Sequence, residues 1–117
     1  MASPIPATLL RIFIGADETY SDGRGEQPLY EAIALKARER GMTGLTVTRG
    51  ILGFGPASRR EKILLRRSED LPIVIEIVDT NEKITDLLAL LDGMIGSGLA
   101  ITERVDAFRY GPRRLPT

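Results

Sequence analysis

An antiparallel α+β sandwich is the fold class that the sequence predicts, and three observations carry the prediction. Alternating or β-branched segments recur at 9–15, 44–52, 71–79 and 101–110, with a further extended segment at 62–67 before the third. Two stretches with apolar residues at helical spacing, 28–40 and 80–95, separate them. The resulting order, β-α-β-β-α-β, is the split βαβ arrangement of ferredoxin-like folds, with both helices on one sheet face.

The first strand, LLRIFIG, places Leu10, Ile12 and Ile14 on one face and Arg11 and Phe13 on the other. ADETYSDGRGEQ clusters Asp, Ser and Gly and reads as a polar loop. Pro28 suits the first turn of a helix, where its missing N–H costs nothing. Behind it Leu29, Ala32, Ile33 and Ala37 make an apolar stripe, and Gly41 closes the helix. GLTVTRGIL is the second strand; KILLRR and LPIVIEIVD are extended segments around an SED turn. In the latter, Ile73, Ile75 and Ile77 share one face and Val74, Glu76 and Val78 the other. Asp79 with Glu82 resembles a capping box for the second helix, whose stripe is Ile84, Leu87, Leu88, Leu91 and Ile95. Gly96 and Gly98 end that helix, and ITERVDAFRY is the last strand. The predicted domain runs over 9–111, between a flexible segment at 1–8 and a flexible tail at 112–117.

Composition excludes several classes of chemistry. The chain has no cysteine and no histidine, which removes disulfides, thiolate catalysis, zinc–thiolate sites and imidazole acid–base catalysis. Sixteen basic residues balance sixteen acidic ones, so no long-range field draws nucleic acid or an anionic membrane. No secretory signal pattern opens the chain, and no apolar run approaches the roughly 20 residues that span a bilayer. A cytoplasmic protein is expected. Asp17, Glu18 and Asp22 lack the calcium-loop pattern, so no metal is expected.

Two features ask for more than a fold. If the helices cover the isoleucine face, the other face carries Phe13, Val74 and Val78 together with Arg11 and Glu76. In this topology Arg11 and Glu76 lie on neighbouring strands and pair across the ladder. A half-apolar face with an internal ion pair points to burial in an oligomer; a semi-exposed face is the alternative. The second feature is GILGFGPASRREK, where a strand gives way to glycines just as the chain turns basic. Glycines there let backbone N–H groups approach an anion, with Arg59, Arg60 and Lys62 adding charge. A β-bulge beside solvated arginines is the other reading.

GMTGLTVTRGILGFGPAS resembles the segment of PII signalling proteins that runs along the second strand into the T-loop, and VIEIVD resembles the strand after that loop. The span 9–110 more closely resembles the PII-like family of domain of unknown function 190, through RIFIGADE, PLYEAI, TRGILGFG, SEDLPIVIEIVD and the late FRYG. The resemblance implies a homotrimer with the non-helical sheet faces turned inward. It also implies clefts between subunits that bind an adenine nucleotide (ATP, ADP or AMP), with no other cofactor required. Gly53, Phe54 and Gly55 would form one wall of such a cleft. Thr46 and Thr48 would bond base or ribose, or merely fill a strand. Arg59 and Arg60 would reach phosphate, or stay solvated. Arg109 would meet the ligand from a neighbouring subunit, or pair with a carboxylate across strands. The loop 56–70 would be the T-loop counterpart that passes ligand state to a partner. The family's association with fluoride-exporting channels makes a membrane transporter or channel the candidate.

The chain departs from the PII pattern in four places. One residue more separates Gly44 from Gly53, and IGSGLAI stands where PII has a Gly-Asp-Gly-Lys loop. No Arg-x-Arg stands near the C-terminus as in PII, and no tyrosine lies between Pro56 and Asp70. Three other readings share the fold: a ligand-free structural trimer, a small enzyme and an RNA-binding module. An enzyme would need carboxylates, arginines or a metal at a diagnostic spacing, and none is present. An RNA platform would need stacking aromatics in its central strands, where Phe13 stands alone. Gly55→Val is expected to abolish adenine-nucleotide binding while leaving the trimer intact. Calorimetric titration with ADP checks this, and wild-type affinity in the variant would remove the glycine wall.

Overall fold

The structure is a computed structural model and describes residues 3–54 and 71–111. Strand β1 (Ile5–Gly15) leads through a two-stranded hairpin, β2 (Thr19–Ser21) and β3 (Glu26–Pro28), into helix α1 (Leu29–Glu39). Strands β4 (Thr46–Arg49) and β5 (Pro72–Asp79), helix α2 (Asn81–Leu91) and strand β6 (Leu99–Ala107) complete the order. The main sheet runs β4-β5-β1-β6 with every neighbouring pair antiparallel, which is the expected ferredoxin-like topology. The segment 62–67, expected to be extended, lies outside the described residues.

Alternation sorts the side chains of the central strands. Leu10, Ile12 and Ile14 stand opposite Ile77, Ile75 and Ile73 in the β1–β5 register, and all six are buried. Onto them pack Leu29, Ala32, Ile33 and Ala37 of α1 and Ile84, Leu87 and Leu91 of α2, so both helices cover one face. Burying an isoleucine or leucine of this kind stabilises by about 1.5–3 kcal/mol, which makes this two-layer core the main source of fold stability.

Both helices have identifiable ends. Gly41 takes a φ of 76°, as a glycine beyond a helix end does. The N–H of Gly41 bonds to the Arg38 carbonyl and that of Met42 to the Ala37 carbonyl, which together make a Schellman motif. At α2 the expected cap is corrected. Thr80, not Asp79, is the N-cap, and its hydroxyl accepts from the Lys83 N–H at 3.3 Å. The capping position needs an extended residue outside the strand ladder, and Asp79 is still paired with Thr8 in the β1–β5 ladder.

Other boundaries differ too. β1 begins at Ile5 rather than after a flexible segment at 1–8, because Ile5–Thr8 pair with the Arg104–Ala107 end of β6. The polar loop after β1 folds into the β2–β3 hairpin, with Gly23 and Gly25 at φ values of 92° and 140°. Helix α2 stops at Leu91, short of the expected Ile95. The last strand begins at Leu99 and stops at Ala107, so Phe108, Arg109 and Tyr110 lie beyond it.

Gly98 is required by close approach. A Cβ there would sit 2.8 Å from the Phe13 carbonyl oxygen and 3.0 Å from Ile14 Cγ2. The carbonyl belongs to a strand paired on both sides and has little room to yield. Gly98→Ala is expected to destabilise the fold by about 1–3 kcal/mol, the usual cost of overpacking, read as a lower urea midpoint.

Candidate functional site

The face opposite the helices carries an ordered set of rows. Thr46, Glu76, Arg11 and Ile101 stand across the sheet in register, with Thr48, Val74, Phe13 and Leu99 in the next row. Val78, Leu9 and Glu103 form the row on the other side. Arg11 Nε donates to Glu76 Oε2 at 2.7 Å, the cross-strand pair that the sequence predicts. Around it the face is largely apolar and only partly covered: Val78, Leu99 and Ile101 are 37%, 51% and 40% exposed.

At one rim of this face the chain forms an open cleft of about 500 Å³. One wall is 43–46, the entry to β4; the other is 107–109, the chain leaving β6; Leu9, Glu76 and Val78 lie between them. The volume is in the range of small-molecule sites. The lining combines apolar surface from Leu9, Leu45, Val78 and Phe108 with acceptors on Glu76 and hydroxyls on Thr43 and Thr46. Arg109 adds a cation with planar donor geometry. Phe108 is half exposed and offers a ring to a flat ligand.

Two of the expected site residues, Thr46 and Arg109, therefore line one cleft although they lie 63 positions apart in the chain. Thr48 does not line the cleft; it lies farther along the same face, its hydroxyl 3.5 Å from the Val74 carbonyl. Gly53 and Phe54 lie at the other end of β5. A Cβ on Gly53 would meet Pro72 Cγ at 3.1 Å, and Pro72 is about 13 Å along β5 from Glu76 at the usual strand rise. Within one subunit these two are not part of the cleft; Gly53 has a packing reason of its own, and Phe54 is 72% exposed. Gly55, Arg59 and Arg60 lie outside the described residues.

Among the lining residues that sequence reasoning missed are Thr43, Gly44, Leu45 and Phe108, along with a lining role for Glu76. Their signal was present in the GMTG and FRYG segments, but only the sheet topology sets these two segments around one rim. Among the described residues, no group of three or more carboxylates is arranged to hold a metal, and no helix is long and apolar enough to cross a membrane.

Fold and face together define a ferredoxin-like α+β subunit in which, among the described residues, one face of the sheet is left uncovered, with a cleft at its rim. The chain matches the family DUF190, described as Uncharacterized ACR, over residues 7–107, and it belongs to that family. It is 39% identical over 100 residues to a UPF0166 protein of Aquifex aeolicus (strain VF5), covering 84% of this chain and 90% of the relative. A UPF0166 protein of Methanocaldococcus jannaschii is 34% identical over 98 residues, covering 83% of this chain and 87% of the relative. Among solved structures it is similar to CPII, a nitrogen regulatory PII-like protein from Thiomonas intermedia K12 bound to ADP, AMP and bicarbonate. That likeness has a TM-score of 0.62 at 14% identity and covers 93% of this chain and 94% of that one. The PII-like fold expected from the sequence is the fold observed.

The Arg11–Glu76 pair measures whether the uncovered face is wet. Its side chains are 32% and 40% exposed in the single subunit, where a pair contributes at most about 1 kcal/mol. A face buried between subunits would leave either partner alone at a cost of about 3–5 kcal/mol. A double-mutant cycle with Arg11→Met and Glu76→Leu is expected to show coupling well above 1 kcal/mol, with single variants that assemble poorly. Coupling below that, with unchanged assembly, would mean that the face stays in water.

Proposed function

We propose that the chain is a PII-like regulatory protein, not an enzyme, that assembles as a homotrimer in the cytoplasm and binds an adenine nucleotide at the rim of its inward-turned sheet faces. The observation that carries this reading is the cleft joining 43–46 to 107–109 beside a half-apolar, uncovered face. Leu9, Leu45, Val78 and Phe108 suit a planar base, the Glu76 carboxylate suits an exocyclic amino group, and Arg109 suits phosphate. In a trimer a neighbouring subunit would close the open side of the cleft, and the Gly53–Phe54 end of one subunit would reach a site completed by the next.

The regulatory part of the proposal requires only that the nucleotide bind two states of the trimer with different affinity. Residues 56–70 are the segment proposed to carry that difference to a partner, with a membrane transporter or channel as the candidate. Support comes from the PII-like fold and from CPII, which is bound to ADP and AMP in its own structure. A chain without His and Cys has no imidazole or thiolate for acid–base or nucleophilic catalysis, which supports reading it as a binding protein.

Native mass spectrometry of the protein alone and with ATP, ADP, AMP and cyclic AMP in turn is expected to show a trimer taking up to three copies of one nucleotide. A trimer that ignores all four would leave assembly standing and remove the ligand. A monomer would remove both.

A further inference from the structure

Asp79 is fully buried at the end of β5, and no cation is paired with it among the described residues. Neutral donors satisfy its carboxylate instead. Oδ1 accepts from the Thr80 N–H at 2.7 Å; Oδ2 accepts from the Thr43 N–H at 2.9 Å and from the Thr43 hydroxyl at 3.1 Å. One oxygen thus serves the α2 entry, and the other holds the first residue of the cleft wall. A second tether lies close by, where Lys83 Nζ of α2 donates to the Gly41 carbonyl at 2.8 Å.

A buried carboxylate is costly unless each of its lone pairs does something that an apolar residue could not. The alternation of β5 places an isoleucine at each other helix-facing position, Ile73, Ile75 and Ile77. At Asp79 the same pattern is broken, at the position from which a side chain reaches the α1–β4 connection. That connection has no ladder of its own between Met42 and Thr46. Its N–H at Thr43 has the Asp79 carboxylate as its partner.

We infer that Asp79 is a positioning residue for the cleft: it does not line the site, but it fixes wall 43–46 against the β5–α2 junction at the spacing a ligand meets. This deepens the reading of the cleft as an adenine-nucleotide site and rests on it. The carboxylate suits the role because it accepts from the amide and the hydroxyl of one residue at the same oxygen while keeping the other for the Thr80 amide. An asparagine has one acceptor oxygen and cannot serve both sides.

The test compares Asp79→Ala, which removes both acceptor oxygens where an asparagine could keep its one oxygen on Thr43, with the wild-type trimer by amide hydrogen exchange, resolved at residues 43–46, and by calorimetric titration with ADP. The expected result is exchange at Thr43 faster by an order of magnitude or more, with a roughly tenfold weaker ADP affinity, as follows from losing a hydrogen bond to a charged acceptor. Lys83→Met is expected to act in the same direction and more weakly, since it releases only the Gly41 end. Unchanged exchange at Thr43, or faster exchange with wild-type ADP affinity, would overturn the positioning role. Should Asp79→Ala fail to fold, exchange in the wild type decides instead. Strong protection of the Thr43 N–H, which is bonded to the Asp79 carboxylate, supports the tether, and exchange at the free-peptide rate overturns it. If the wild-type protein takes none of ATP, ADP, AMP and cyclic AMP, the nucleotide reading falls, while the exchange comparison still decides whether Asp79 fixes the wall.

Discussion

The antiparallel pairing of β1 with β5 is the constraint on which the other parts depend. It sets Leu10, Ile12 and Ile14 beside Ile77, Ile75 and Ile73 on the helix side. By the same register it sets Leu9, Arg11 and Phe13 beside Val78, Glu76 and Val74 on the other. Because side chains alternate with a period of two, a slip of one residue would turn one strand over relative to the other and drive either Arg11 or Glu76 into the core. The ion pair and the isoleucine layer are therefore two consequences of one register.

That register also builds the rim. Glu76 and Val78 project from β5, Leu9 from β1, and the antiparallel neighbours β4 and β6 bring 43–46 and 107–109 to the same end. The core and the site have opposite requirements. The helix face is sealed by two helices, whereas the other face must keep apolar surface, one ion pair and an open cleft available for whatever covers it. Asp79 stands where the two meet, buried in the helix layer yet bonded to the wall of the cleft.

Periodicity made the core legible. The stripes of both helices and the alternation of β1 and β5 name the residues that pack, and the Arg11–Glu76 pair follows from alternation once the strand order is assumed. The cap of α2 was less legible. Asp79 and Thr80 both have capping chemistry, and only the ladder shows that Asp79 still belongs to β5 while Thr80 is free to cap. The hairpin β2–β3 escaped because its strands are three residues each, too short for alternation to stand out from a polar loop. The end of β1 before Leu9 escaped because Pro6 sits in it, and proline is poor evidence for a strand unless its neighbours are known.

By itself, the sequence determined the fold class, the residues of the core, the ion pair and the family, since each is written in local periodicity or in motifs read along the chain. Tertiary structure decided which of the expected ligand residues meet. Thr46 and Arg109 converge because β4 and β6 are the two edges of one sheet and their ends face the same rim. Gly53 and Phe54 fall outside that cleft because β5 runs antiparallel to β4 and carries Pro72 to the far end. Proximity along the chain says nothing about which end of a sheet a residue occupies. The order and direction of the strands do.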